Sequence, residues 1–343
     1  MRRAIPPDIS YVLPIRSATS QAGGELTVYL RGIARLAEVL VVDGSPRDVF
    51  ASHSAAWRSF ARHVAPAVDL VTPMGKVGGV LTGLRLASHE RVVIADDDVR
   101  YDEATLALVA SALDDADVVR PQNYFHPLPW HARLDTARML LNRLAGGDWP
   151  GTLAVRRSVL AATGGYDGRA MFENLELVRT VQAAGGRERV LLDAYVPRRP
   201  ASTRHFLSQR VRQAYDEFAR PARLVAQLAF LPGIALVAQV AGWRGVLALL
   251  VSVVALAEAG RRRAGGARTF PAGAVLWAPL WIIERGVCSW VAVASRLARG
   301  GVRYRGVVLA HAATRARELR RRHAHLRRAR DAAENPAAAH RSA

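Results

Sequence analysis

Three consecutive carboxylates, Asp96, Asp97 and Asp98, follow directly on 91–95 (RVVIA), which reads as a buried strand, apolar from Val92 on. Like charges this close repel one another unless a cation lies between them. Hard Mg²⁺ or Mn²⁺, shared between a few carboxylates and a diphosphate, is the natural partner; a solvated acidic turn capping the next helix is the plain alternative. Asp43 ends a second apolar run, 38–42 (EVLVV), at the turn Asp43-Gly44-Ser45-Pro46. One carboxylate near a base or ribose and others near phosphates, all at the carboxyl ends of strands, would make an economical nucleotide site. Lys76 falls between them, on a loop before a helix, and is the only lysine in the chain. A compact ammonium kept where every other base is arginine suits the neutralising of phosphate charge. Walker A and GxGxxG patterns are both missing, which speaks against a P-loop ATPase or a dinucleotide dehydrogenase. Further along, Glu173 and Glu176 open an apparent helix, where first-turn acids also favour the helix dipole. Trp149 and Gly151 (GDWPGT) precede a strand and form either a pocket floor or a packed turn. His126, His131 and His205 lack metal-ligand spacing.

The elements that must hold these residues alternate. Strands are predicted at 9–14, 38–42, 68–71, 91–95 and 117–120, and helices at 25–36, 57–64, 77–87 and 104–113. That order argues for a parallel α/β sheet covered on both faces. From about 120 to 131 (PQNYFHPLPWH) the residues read as loops over a pocket. Helical segments follow at 158–163, 173–184 and 208–219.

Beyond Pro221 the chain turns apolar. Segments 224–241 and 245–259, separated by Trp243-Arg244, read as a tight helical hairpin, and 271–295 as a third apolar stretch. Glu284-Arg285 in its centre is costly in lipid, which favours a re-entrant or interfacial segment. The net charge is +19, and residues 296–343 contribute thirteen arginines against Glu318, Asp331 and Glu334. A single aromatic, Tyr304, lies among them, short of what a nucleic-acid stacking platform needs, so an anionic membrane surface is the favoured partner. Arg261–Arg263 and the tail both belong in the cytoplasm by the positive-inside rule, which an even number of crossings satisfies. The start, MRRAIPPDIS, has no apolar signal segment, and the single Cys288 allows no internal disulfide.

Taken in order, VVDGSP, GKVGGVLTGLRLA, VVIADDDV, GGYDG…FENLEL and QRVRQ resemble the family 2 glycosyltransferases of GT-A fold. The likeness covers about residues 9–220, and membrane-associated members such as ceramide and hopanoid-type glucosyltransferases and the cellulose-synthase group share this layout. The resemblance implies a role for each matching residue. Asp43 matches the acid that contacts the base, and Lys76 the lysine of the glycine-lysine motif near the donor. Asp96 and Asp98 match the first and last acids of the DxD motif, with Asp97 between them, which holds the divalent cation and the diphosphate. Gln209 and Arg212 match QxxRW, whose tryptophan is here Gln213; Tyr215 is a substitute aromatic. Asn174 stands where the family's catalytic Asp is expected, and an amide cannot take a proton. Glu173 or Glu176 would take the role, set about 100° and 200° around the helix from Asn174. Glu173 is the choice, with Asn174 orienting acceptor or sugar.

The expected fold class is therefore α/β, a GT-A (Rossmann-like) nucleotide-sugar-binding domain over 1–220, a membrane-associated helical region over 221–298 and a basic tail over 299–343. The expected function is inverting transfer from a nucleotide-sugar donor to a membrane lipid or polyprenyl acceptor. It would be metal-dependent (Mg²⁺ or Mn²⁺), without nucleic acid, in a multi-pass protein of the cell membrane with a cytoplasmic catalytic domain. A polyprenyl-phosphate sugar synthase and a catalytically weakened nucleotide-sugar-binding scaffold are the alternatives.

Overall fold

The computed structural model describes residues 8–304 and 306–334. The N-terminal segment read as lacking a signal lies mostly outside them, as do the last nine residues of the tail. In chain order the elements are β1 (Ile9–Ile15), α1 (Glu25–Ile33), β2 (Glu38–Asp43), α2 (Arg47–Trp57), β3 (Arg62–Val64), α3 (Gly75–Leu86), β4 (Arg91–Ala95) and α4 (Glu103–Ser111). Then come β5 (Val118–Phe125), α5 (Trp130–Leu144), β6 (Thr152–Arg156), α6 (Arg157–Ala162), α7 (Glu173–Ala183), β7 (Glu188–Arg198) and α8 (Thr203–Tyr215). The chain ends with α9 (Pro221–Leu228), α10 (Phe230–Arg262), α11 (Ala278–Arg299), β8 (Val302–Tyr304), β9 (Val307–Leu309), α12 (Ala316–Arg322) and α13 (Ala324–Glu334).

Seven strands form one sheet in the order β3-β2-β1-β4-β6-β5-β7. β1, β2, β3 and β4 run parallel; β1, β2 and β4 are buried, largely apolar runs, as a sheet covered on both faces needs, and β3 is the half-exposed edge. β6 is antiparallel to both β4 and β5, so the sheet is mixed rather than parallel throughout. Helix α3 lies very close on β1. A Cβ added at Gly83 would fall 2.3 Å from Val12 Cγ1, and one at Gly79 2.9 Å from Pro14 Cβ. The glycines of GKVGGVLTG thus set the depth of the helix that begins at Gly75-Lys76.

Several elements differ from expectation. The 57–64 helix is instead the end of α2 followed by edge strand β3, whose Arg62–Val64 pair with Leu40–Val42; three residues are too few to show a period. Segment 68–70 is a 3-10 turn, not a strand. In the stretch read as loops α5 begins at Trp130, and it hides its period by burying Asp135, Asn142 and Arg143 along with its apolar residues. Strand β7 was not anticipated.

By internal contacts the chain forms two units. The first comprises the described residues up to Pro121, Pro150–Ala194, and those from Thr314 onward; the second is Gln122–Trp149 with Tyr195–Ala313. This differs from the sequence division at 220 and 298. Helices α12 and α13 belong with the first unit because the chain is tied there. Glu176 accepts from Thr314 N at 2.6 Å, Leu319 is buried, and Arg330 pairs with Asp117 at 2.9 Å.

In the second unit, two stretches are long and apolar enough to cross a membrane, Pro221–Arg268 and Ala272–Arg299. The first is not straight. Gly242 has φ 59° and ψ −160°, a conformation open essentially to glycine. A Cβ on Gly245 would lie 3.1 Å from Val237 Cγ1, whereas eight residues of straight helix span about 12 Å. The chain therefore doubles back at Gly242 into legs 230–241 and 243–262. Glu284, the costly charge of α11, is bridged by Arg210 at 2.7 Å, and Arg210 also reaches Asp135 at 2.7 Å. That buried trio joins α8, α5 and α11, so one face of α11 is polar core rather than lipid-facing.

Candidate active site

Parallel pairing of β2, β1 and β4 puts their carboxyl ends on one edge of the sheet, in the first unit. Asp43 closes β2 there and Asp96 follows β4. Strand β6 starts at the same edge, since Thr152 pairs with Ala95. The residues just before it are fixed from two sides. Asp96 N donates to Gly151 O at 2.8 Å, and Asn174 Nδ2 donates to Pro150 O at 2.9 Å. The start of α3 is braced by Met74 N donating to Gly168 O at 2.8 Å.

These segments bring together three of the charged residues picked out in the sequence. Lys76 Nζ lies 2.6 Å from Asp96 Oδ1 and 2.8 Å from Glu173 Oε1, with side chains 19%, 22% and 16% exposed. Burial alone would lower the lysine pKa, but the Asp96 and Glu173 carboxylates more than offset it and hold it well above the ordinary value. The phenol of Tyr166, on the loop that braces α3, borders the same cluster; burial first, then Glu173, pushes its pKa up. Tyr166 lies in the GGYDG segment, but the sequence assigns it no role. Asp97 is exposed and Asp98 half-buried.

Asp43 is wholly enclosed. Oδ2 accepts from His53 Nδ1 at 2.7 Å and His63 Nε2 at 3.0 Å, while Oδ1 accepts from Ser45 N at 2.8 Å. Burial would raise its pKa, but the bonds from His63, Ser45 and His53 outweigh that and hold it well below the carboxylate range. The three side chains offer ligand atoms within 4.8 Å of one another, a group able to hold a metal ion. Their hydrogen bonding points another way. His53 Nε2 accepts from Gln21 N at 2.8 Å, so its proton is on Nδ1, facing Asp43. A ring that ligates a metal through Nδ1 normally donates from the other nitrogen, and here a second donor already stands there. Both histidines escaped the sequence reading.

The remaining predicted residues are placed as follows. Glu176 is fully buried in the first unit and bonded to Thr314 N. Gly151 is buried beside Asp96. Trp149, Gln209 and Arg212 belong to the second unit; Arg212 donates to Gln209 Oε1 at 3.0 Å and lies 5.1 Å over the Tyr304 ring. A cavity of about 350 Å³ in the first unit, bordered by Tyr166, Arg169, Arg322 and His323, is lined by neither Lys76 nor Asp96.

No protein-family model matches the sequence, nor does any curated protein. The fold matches that of a solved glycosyltransferase, the mannosyltransferase PcManGT from Pyrobaculum calidifontis in complex with GDP-Man and Mn²⁺. The TM-score is 0.50 at 17% identity over 83% of this chain and 89% of that one. Weaker matches are TarS of S. aureus, with a TM-score of 0.40 at 18% identity over 61% of this chain and 40% of that one, and a mycobacterial protein, with 0.39 at 20% over 58% and 70%. At 17% identity the likeness to PcManGT is one of fold, a mixed α/β sheet of the Rossmann-like kind.

Proposed function

We propose that the chain is an inverting glycosyltransferase that moves a sugar from a nucleotide-sugar donor to a hydroxyl or phosphate acceptor carried on a membrane lipid. The observation that carries this reading is the Lys76–Asp96–Glu173 cluster at the carboxyl edge of parallel strands, where α/β folds take their ligands. Lys76 stands in the first turn of α3, so the helix dipole adds to its ammonium in attracting a diphosphate. A donor diphosphate would compete with the two carboxylates for that ammonium. Released from Lys76, Glu173 is the group that would take the acceptor's proton as its oxygen attacks the anomeric carbon. Asn174 holds the 150–151 segment through Pro150 and so supports Asp96 from behind. The all-oxygen donor set of Asp96 and Asp98 fits Mg²⁺ or Mn²⁺. Such an ion, when bound, would neutralise charge developing on the leaving nucleoside diphosphate. Asp43, saturated by three donors, would act by shaping the nucleotide pocket rather than by touching the base directly. The apolar second unit supports the membrane-borne acceptor.

The test is a nucleotide-sugar panel on the full chain in detergent, with Mn²⁺, Mg²⁺ or chelator, following nucleoside diphosphate release. Glu173→Gln should lower turnover by roughly 10²–10⁴-fold with donor binding retained. Failure of every nucleotide sugar to bind would overturn the reading.

A further inference from the structure

We infer that the hairpin at Gly242, with the outer face of α11, is an anchor that enters one leaflet of an anionic bilayer and does not cross it. This rests on the membrane reading above and goes beyond it by fixing how the chain meets the lipid.

The hairpin rises from a definite base. At the foot of leg 230–241, Trp290 donates to Leu228 O at the end of α9 at 3.2 Å, and a Cβ on Gly286 would meet Leu231 Cγ of the leg at 2.9 Å. On leg 243–262, Val253 and Ala257 are buried in a cluster with Leu134, Ala137 and Leu140 of α5. Above that base the surface is bare and largely apolar, with Gln239 and Arg244 polar near the tip. Val240 and Trp243 are 80% and 70% exposed, and only 11% of the most apolar window of this segment is buried. On α11, Leu280, Ile283, Val287 and Trp290 lie exposed at helical spacing, opposite buried Trp281, Arg285 and Ser289.

Length decides between entering and crossing. From the base to Gly242 each leg offers about twelve residues, or about 18 Å, against about 30 Å of hydrocarbon. The legs cannot gain reach by sinking further, because α5 beside them carries Asp135 and Arg138, in an ionic network with Arg210 of α8 that lipid would not accept. At the tip, Arg244 stacks on Trp243 at 5.7 Å, a pair suited to the headgroup level and costly at the bilayer centre. The hairpin therefore leans along the leaflet instead of standing upright in it. Exposed Arg262, Arg263, Arg268, Arg296 and Arg299 bracket the apolar segments. Their charge complements anionic headgroups, which is why the occupant is a lipid leaflet and not a second apolar protein face.

The full chain carrying Cys288→Ser and Val240→Cys, labelled with a polarity-sensitive fluorophore, is bound to sealed vesicles of phosphatidylcholine with phosphatidylglycerol. Flotation should require the phosphatidylglycerol and weaken with salt. The label should be quenched by nitroxides on the acyl chains and spared by Co²⁺ trapped in the lumen; the same label at Leu247 should behave alike. Quenching by lumenal Co²⁺ means the tip crosses, and overturns this inference while the membrane reading stands. Flotation without acyl-chain quenching likewise overturns the leaflet placement. No flotation, with a stable dimer in solution, overturns both.

Discussion

Replacing Lys76 by methionine keeps its length and removes its charge. The two bonded oxygens of Asp96 and Glu173 lie within about 5.5 Å of each other, given bonds of 2.6 and 2.8 Å to one nitrogen. Two unit charges about 5 Å apart repel by about 3 kcal/mol at an effective dielectric constant of about 20. All three side chains are less than a quarter exposed, so solvent screening removes little of this. Relief comes from protonation of one carboxylate, which removes the repulsion. The sign follows. A carboxylate with a raised folded pKa is penalised above that pKa and relieved below it. The deficit of Lys76→Met should therefore be largest at pH 7.5 and shrink towards pH 5. At about 2–4 °C per kcal/mol for a domain of this size, the melting temperature should fall by about 6–12 °C at pH 7.5 and by clearly less at pH 5. Millimolar Mn²⁺ should restore part of the loss, because a hard cation can take the place of the ammonium between two carboxylates. Thermal melts of the variant and the parent chain at the two pH values decide the matter. Equal melting temperatures at pH 7.5, or a deficit that grows in acid, would refute the reasoning.

Lys76→Arg should stay folded, since a guanidinium fork can still bridge two carboxylates, yet lose donor affinity because it cannot present a compact charge to the diphosphate; calorimetric titration with a nucleoside diphosphate measures this. Asn174→Asp should lower activity rather than restore a missing base, because a carboxylate cannot donate to Pro150 O and would cost about 1–3 kcal/mol there; steady-state turnover and a melt read both effects. Asp43 carries a depressed pKa, so its contribution to stability is present above about 3.8 and is lost as pH falls below that. Asp43→Ala should cost about 3–5 kcal/mol at pH 7 and flatten the acid limb of a stability profile measured by urea unfolding.

What could be read from the sequence was local, and what could not was closure in space. Strands β2 and β4 announce themselves as unbroken apolar runs, and the acids that end them needed no tertiary knowledge. Lys76 stood out as the sole lysine, but its partner Glu173 lies 97 residues away, and no spacing rule joins them. His53 and His63 were invisible for the same reason. They come ten and twenty residues after Asp43, on a helix and an edge strand, and it takes both the placing of α2 and the pairing of β3 with β2 to bring the two rings onto one carboxylate. The glycines of α3 fit no phosphate-loop pattern, and the closeness of Gly79 and Gly83 to β1 shows them to be packing surface. Hydropathy found the apolar hairpin yet not its reach, because that depends on Gly242 reversing the chain and on α5 claiming the lower half of one leg. Glu284 looked misplaced in α11 until Arg210, 74 residues earlier, supplied its counter-charge. The departure at Asn174 gains its sense in the same way. An amide there donates to Pro150, whose neighbour Gly151 receives the Asp96 amide, so this position holds the acidic turn in place and leaves Glu173, already within reach of Lys76, as the carboxylate free to exchange partners when a diphosphate arrives.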